Sequence, residues 1–174
     1  LKSYNKSERL LSSKPYTAYL KIAEGCNNCC TFCAIPLIRG GNSSYPMEEL
    51  IEKAKHLASQ GVKELVVIAQ DTTKYGLDIY GELSLLKLLQ ELNAIDGLHW
   101  IRILYMYPDE ITPELVNGMK KLEKVLPYFD IPMQHANNRL LKLMNRRGEK
   151  EDILATIKHI RETFEYPTLR TTFI

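Results

Sequence analysis

Four cysteines, Cys26, Cys29, Cys30 and Cys33, fall within one short stretch of this 174-residue chain, and there are no others. Cys26, Cys30 and Cys33 have the spacing C-x3-C-x2-C, which puts three thiolates on one loop. Thiolate suits soft metal sites, iron–sulfur clusters among them. A four-iron cluster needs a ligand on every iron, and three cysteines leave one iron without a protein ligand. A substrate or cofactor can bind at that open position, so the spacing points to chemistry more than to storage of electrons.

Other uses of the same thiols make different predictions. Cys26 with Cys29 and Cys30 with Cys33 form two adjoining C-x2-C pairs, which a zinc ion could share. Structural zinc sites normally separate their pairs with a long spacer, so that two turns converge on the metal. Four thiolates on one short loop surround a single ion poorly. A disulfide framework suits small secreted chains better than one with a core of this size. An iron–sulfur electron-transfer module would need a fourth cluster ligand. Cys29 reads as a neighbour of the cluster with no ligand role.

The loop needs elements to hold it, and the pattern supplies them. Apolar residues make up 45% of the chain and charged residues 25%, ordinary globular values. One domain of this length buries about 70% of its unfolded surface. The net charge of +2 does not argue for nucleic acid. No apolar run approaches a membrane span and no signal-peptide core opens the chain, so it reads as soluble and cytoplasmic. Residues 1–15 are polar and basic and read as an interdomain linker. Strands are predicted at 17–23, 64–69, 100–105, 128–131 and 168–174. Helices are predicted at 46–60, 84–94, 112–122, 138–146 and 150–164. The alternation of strand and helix argues for an α/β fold with a parallel sheet and crossover helices.

In a parallel barrel the C-terminal ends of the strands share one rim, where active sites lie. The predicted strands end at Glu24 and the cysteines, at Gln70-Asp71, at Tyr107 and at Gln134-His135. That common rim makes these residues site candidates without assigning roles.

The string Glu24-Gly25-Cys26-x3-Cys30-x-Phe32-Cys33-Ala34-Ile35-Pro36, followed by Arg39-Gly40, resembles the radical S-adenosylmethionine (SAM) enzymes and, more narrowly, the methylthiotransferases. The resemblance implies a partial parallel (β/α) barrel, with about five of its six β/α units present. It implies a 4Fe–4S cluster on Cys26, Cys30 and Cys33, with the amine and carboxylate of SAM on the fourth iron. An electron passed to the sulfonium would release a 5′-deoxyadenosyl radical, which removes hydrogen from an unreactive carbon. By the same resemblance Phe32 lies beside the adenine, Gln70 and Asp71 near the SAM amino group, and Gln134 near the ribose. His135 reads equally as structural.

Three further strings resemble the branch that methylthiolates the β-carbon of an aspartate in protein twelve of the small ribosomal subunit. They are Ala69-Gln70-Asp71-Thr72-Thr73-x-Tyr75-Gly76, Tyr105-Met106-Tyr107-Pro108 and Asp130-Ile131-Pro132-Met133-Gln134-His135-Ala136. The alternative branch modifies a tRNA adenosine. Members carry an N-terminal domain with a second 4Fe–4S cluster and a C-terminal RNA-binding-like β-domain. They draw electrons from a donor such as flavodoxin or ferredoxin. This chain shows neither extra domain and stops within its fifth predicted strand, so residues 16–174 read as a core piece truncated before the last β/α unit. Such a piece is expected to be inactive in methylthiolation by itself.

Two departures from the family pattern stand out. Cys29 occupies a place where relatives carry a basic or polar residue, and Tyr45 follows Ser44 where they show arginine. The basic string Arg139, Lys142, Arg146, Arg147 and Lys150 reads as the solvated side of a helix packed through Leu140, Leu141 and Met144.

Overall fold

A computed structural model describes residues 14–174. Most of the predicted linker, residues 1–13, lies outside the described residues. In chain order the elements are β1 (Thr17–Lys21), β2 (Ala23–Glu24), α1 (Ile35–Arg39), β3 (Ser43–Ser44), α2 (Met47–Ser59), β4 (Glu64–Ile68), α3 (Leu77–Tyr80) and α4 (Leu85–Asn93). They continue as β5 (Trp100–Ile103), a 3-10 turn (Pro108–Glu110), α5 (Pro113–Lys120), β6 (Tyr128–Asp130), α6 (Asn138–Leu143), α7 (Lys150–Thr163) and β7 (Thr168–Arg170).

β1, β4 and β5 form a parallel ladder in that spatial order, and β6 pairs in parallel with β7. The two ladders are stitched together. Ile101 N donates to Lys124 O (2.7 Å), Leu126 N to Ile101 O (2.9 Å) and Met106 N to Asp130 O (2.9 Å). The result is the partial barrel expected from the sequence, with helices between successive parallel strands.

Alternation along the strands explains why one face is buried. Ala18 and Leu20, Leu65 and Val67, Ile101 and Ile103, and Phe129 point toward the helices and are sealed from solvent. They meet Leu50, Ala54 and Leu57 of α2, Leu85, Leu88, Leu89 and Leu92 of α4, and Leu115, Val116 and Met119 of α5. Each fully buried leucine or isoleucine contributes about 1.5–3 kcal/mol, so these layers carry most of the fold's stability. The opposite face holds Tyr19, Val66 and Arg102 in one cross-strand row, with Arg102 bonded to Glu64 (2.8 Å) and 4.7 Å from the centre of the Tyr128 ring. That face is polar and partly open.

Local signals set the helix ends. Thr112 caps α5 by accepting from Leu115 N (3.2 Å), and Pro113 supplies the first turn. Glu149 and Asp152 form a capping box on α7. The segment after Asn137 departs from the expected helix over 138–146: α6 stops at Leu143, and Asn145 turns left-handed (φ 53°). Arg146 and Arg147 are therefore off the helix.

The candidate cluster site

The cysteine loop begins on a small antiparallel pair, Ala23–Ser44 and Glu24–Ser43, which the sequence did not reveal. Gly25 (φ 70°) lies so close to the Gly40–Gly41 backbone that no side chain fits there, and Cys26 N donates to Gly40 O (3.1 Å). The loop is thus closed at its base by its own return strand.

Its far side is held by residues more than a hundred positions away. Thr31 N donates to Met144 O (3.1 Å), Thr31 Oγ1 to Leu143 O (3.2 Å), and Asn145 Nδ2 to Cys29 O (2.9 Å). Between these anchors Asn28 is buried and acts as the hub. Its amide donates to Asp71 Oδ2 (2.7 Å), and its carbonyl accepts from Lys74 Nζ (2.8 Å) and Arg147 Nη2 (3.0 Å). Asp71 is 2% exposed, and its other oxygen accepts from Thr73 N (3.1 Å) and Thr73 Oγ1 (2.5 Å). Arg147 in turn pairs with Asp109 (3.0 Å) and Glu110 (3.4 Å).

The candidates named from the sequence fall as follows. Cys26, Cys30 and Cys33 are half-buried and Cys29 is exposed. Asp71 sits under the loop with both oxygens engaged inside the chain, so in this structure it positions Asn28. Phe32 is 46% exposed on the loop and not packed into the core. Gln70 is exposed beside Asp71. Gln134 takes a left-handed turn (φ 69°) and bridges to Phe173, its N–H donating to Thr172 O (2.8 Å). His135 Nδ1 accepts from Ala136 N (3.0 Å) and Asn137 N (2.9 Å), which shapes the turn there. Tyr45 packs against the core, and its carbonyl accepts from Tyr75 Oη (2.9 Å).

The solvated-helix reading of the basic string fails for two members. Arg146 lies 4.1 Å from the centre of the Tyr107 ring and reaches Cys30 Sγ (3.8 Å), while Arg147 joins the Asn28 hub. Both turn inward because α6 ends before them. Asn28 and Lys74 were the neighbours that sequence reasoning missed, whereas Tyr107 was named as a rim residue and the two arginines were read as solvated.

The surroundings of Cys26 by themselves disfavour a bare thiolate. Burial pushes the Cys26 thiol up, and the Asn28 N–H (3.4 Å from its sulfur) works in the other direction. Burial also raises Tyr107 against the opposing pull of Arg146. Asp109 is raised by burial, with Arg147 opposing.

Among the described residues no three Cys, His, Asp or Glu side chains converge as the ligands of one ion. Three thiols on one loop, two of them receiving N–H groups, are the donor set that the thiolate ligands of a cluster need.

Fold and loop together define a radical SAM core, and comparison with known proteins agrees. The family model described as the Radical SAM superfamily matches residues 20–174, and the chain belongs to that superfamily. Among curated proteins it is 55% identical over 166 residues to the ribosomal protein uS12 methylthiotransferase RimO of Clostridioides difficile, covering 95% of this chain and 37% of that protein. It is 46% identical over 169 residues to the protein of the same name from Carboxydothermus hydrogenoformans, covering 97% and 38%. The chain therefore spans a little over a third of the length of these relatives. In fold it is similar to the radical SAM methyltransferase TsrM of Kitasatospora setae, solved with cobalamin and a [4Fe-4S] cluster (TM-score 0.68, 15% identity, 90% of this chain and 30% of that one). It is also similar to HydG, a maturase of [FeFe]-hydrogenase (TM-score 0.62, 15% identity, 91% and 34%).

Proposed function

We propose that this chain is the radical SAM core of a methylthiotransferase whose substrate is an aspartate of ribosomal protein uS12. The observation that carries the reading is the three-cysteine loop, placed at the strand-end rim of a partial barrel and held there by Asn28. The named relatives support the substrate branch and favour it over a tRNA adenosine.

Cys26, Cys30 and Cys33 would hold a 4Fe–4S cluster, and Phe32, Gln70 and Gln134 would line the SAM beside it, with Asp71 acting through Asn28. When bound, cluster and SAM together supply a reductive cleavage that yields a hydrogen-abstracting radical. The chain's own residues do the rest. Gly25, Asn28 and Thr31 fix the loop, Lys74 and Arg147 donate to the Asn28 carbonyl and hold it in place, and Tyr107 with Arg146 walls off one side of Cys30. In the domain arrangement we propose, residues 1–15 link this core, residues 16–174, to an N-terminal domain with the second cluster. A C-terminal β-domain completes the enzyme, and both domains lie outside this chain. A flavodoxin- or ferredoxin-like donor supplies electrons in the cytoplasm. No helix among the described residues is long and apolar enough to cross a membrane.

Serine substitution with iron analysis after anaerobic reconstitution tests the ligand set. Cys26→Ser, Cys30→Ser and Cys33→Ser should each abolish iron retention, and Cys29→Ser should keep it. Loss of iron in Cys29→Ser with retention in any of the other three would reassign the ligands.

A further inference from the structure

Arg146 is the cation closest to a cysteine sulfur among the contacts of this loop, and its setting is built from three separate parts of the barrel. Nη2 donates to Pro132 O (2.5 Å), in the segment after β6. The guanidinium stacks on Tyr107, after β5, at 4.1 Å. Nη1 reaches Cys30 Sγ at 3.8 Å. The left-handed Asn145 delivers it there, and Asn145 is itself tied to Cys29 O (2.9 Å). Thus the turn after α6 saddles the cysteine loop and aims a permanent charge at one thiol.

We propose that Arg146 is a positioning residue for Cys30 that raises the reduction potential of the cluster held by Cys26, Cys30 and Cys33. The inference rests on the cluster reading above. Reduction adds one electron at the site, supplied by a low-potential one-electron donor, and no proton need accompany it. A fixed cation with an N–H directed at a ligand sulfur stabilises the added negative charge. Guanidinium stays charged under all working conditions, and its planar fork serves Pro132, Tyr107 and Cys30 at once, which an ammonium group cannot do. Among the described residues the N–H at the Cys26 sulfur is the neutral one of Asn28, with the Lys74 charge acting through space, so the cationic N–H falls on Cys30. Asp109 and Glu110 face the neighbouring Arg147 and leave Arg146 to the sulfur.

The test is an anaerobic redox titration of the reconstituted protein, with dithionite as reductant and the reduced cluster read by electron paramagnetic resonance. Arg146→Met should lower the reduced-to-oxidised ratio about tenfold at fixed poise, which is a negative shift of about 59 mV for a one-electron couple. Asn145→Gly keeps the left-handed turn and the charge but removes the bond to Cys29 O, so it should shed iron faster while leaving the potential in place. If Arg146→Met takes up no iron, Arg146→Gln, which keeps donors without the charge, decides on the same measurement. A variant that holds full iron at the wild-type potential overturns the inference and leaves the cluster reading standing. Wild-type protein that binds no cluster overturns the reading itself.

Discussion

Replacing Asn28 by alanine removes three hydrogen bonds from the centre of the cysteine loop. They are not equal. Lys74 keeps Glu110 at 4.0 Å, and Arg147, with its side chain 46% exposed, keeps Asp109 and can rehydrate. Those two losses contribute little, about 1 kcal/mol together. Asp71 Oδ2 is different: at 2% exposure it has no water to replace the amide at 2.7 Å. An orphaned buried charged acceptor costs about 2–3 kcal/mol, which brings the expected total to about 3 kcal/mol. With a urea m-value of about 2 kcal/mol/M, the unfolding midpoint should fall by about 1.5 M at unchanged slope. Asn28→Asp gives the complementary result. Its carboxyl keeps an acceptor for Lys74 and Arg147 but, once ionised, loses the donor to Asp71, so it should also lower the urea midpoint at neutral pH. An Asn28→Ala midpoint within about 0.25 M of wild type would refute the hub.

Gly25→Ala should misplace the loop. A left-handed alanine alone costs about 1–2 kcal/mol, and its Cβ would also overlap the Gly41 carbonyl and sit 2.5 Å from Gly40 O; lower thermal stability and poor iron retention are the readouts. Tyr75→Phe removes a bond from a fully buried hydroxyl to Tyr45 O and should cost about 1 kcal/mol in urea unfolding. Burial holds the Asp109 carboxyl above its usual 3.8, so its contribution is fully present below that value and is lost as pH rises through the folded pKa. Asp109→Asn should flatten the stability profile across that window, and an unchanged profile would remove Asp109 from the account.

The barrel was legible because its strands are continuous apolar runs and its helices are amphipathic. Leu65-Val66-Val67 and the Leu85, Leu88, Leu89, Leu92 stripe declare themselves without tertiary information. The β2–β3 pair did not, since four residues carry no periodicity and the pairing depends on the close approach of Gly25 to Gly40 and Gly41. α1 likewise buries no residue and left no amphipathic trace. The cysteine ligand set was visible in its spacing, whereas Asn28 was not. Its partners Asp71, Lys74 and Arg147 lie far off in sequence, and an asparagine between cysteines reads as ordinary loop. Arg146 was misread for a specific reason: helical spacing from Arg139 and Lys142 held only while the helix was assumed to run past Leu143. The left-handed Asn145 breaks that spacing and turns the charge inward.

The most direct measurement is the electron paramagnetic resonance spectrum of the anaerobically reconstituted and reduced protein, recorded with and without SAM beside an iron analysis. About four irons per chain and a spectrum altered by SAM are the predicted results, since three cysteines leave one iron open to it. A colourless protein that retains zinc, or a four-iron cluster whose spectrum ignores SAM, would contradict the account.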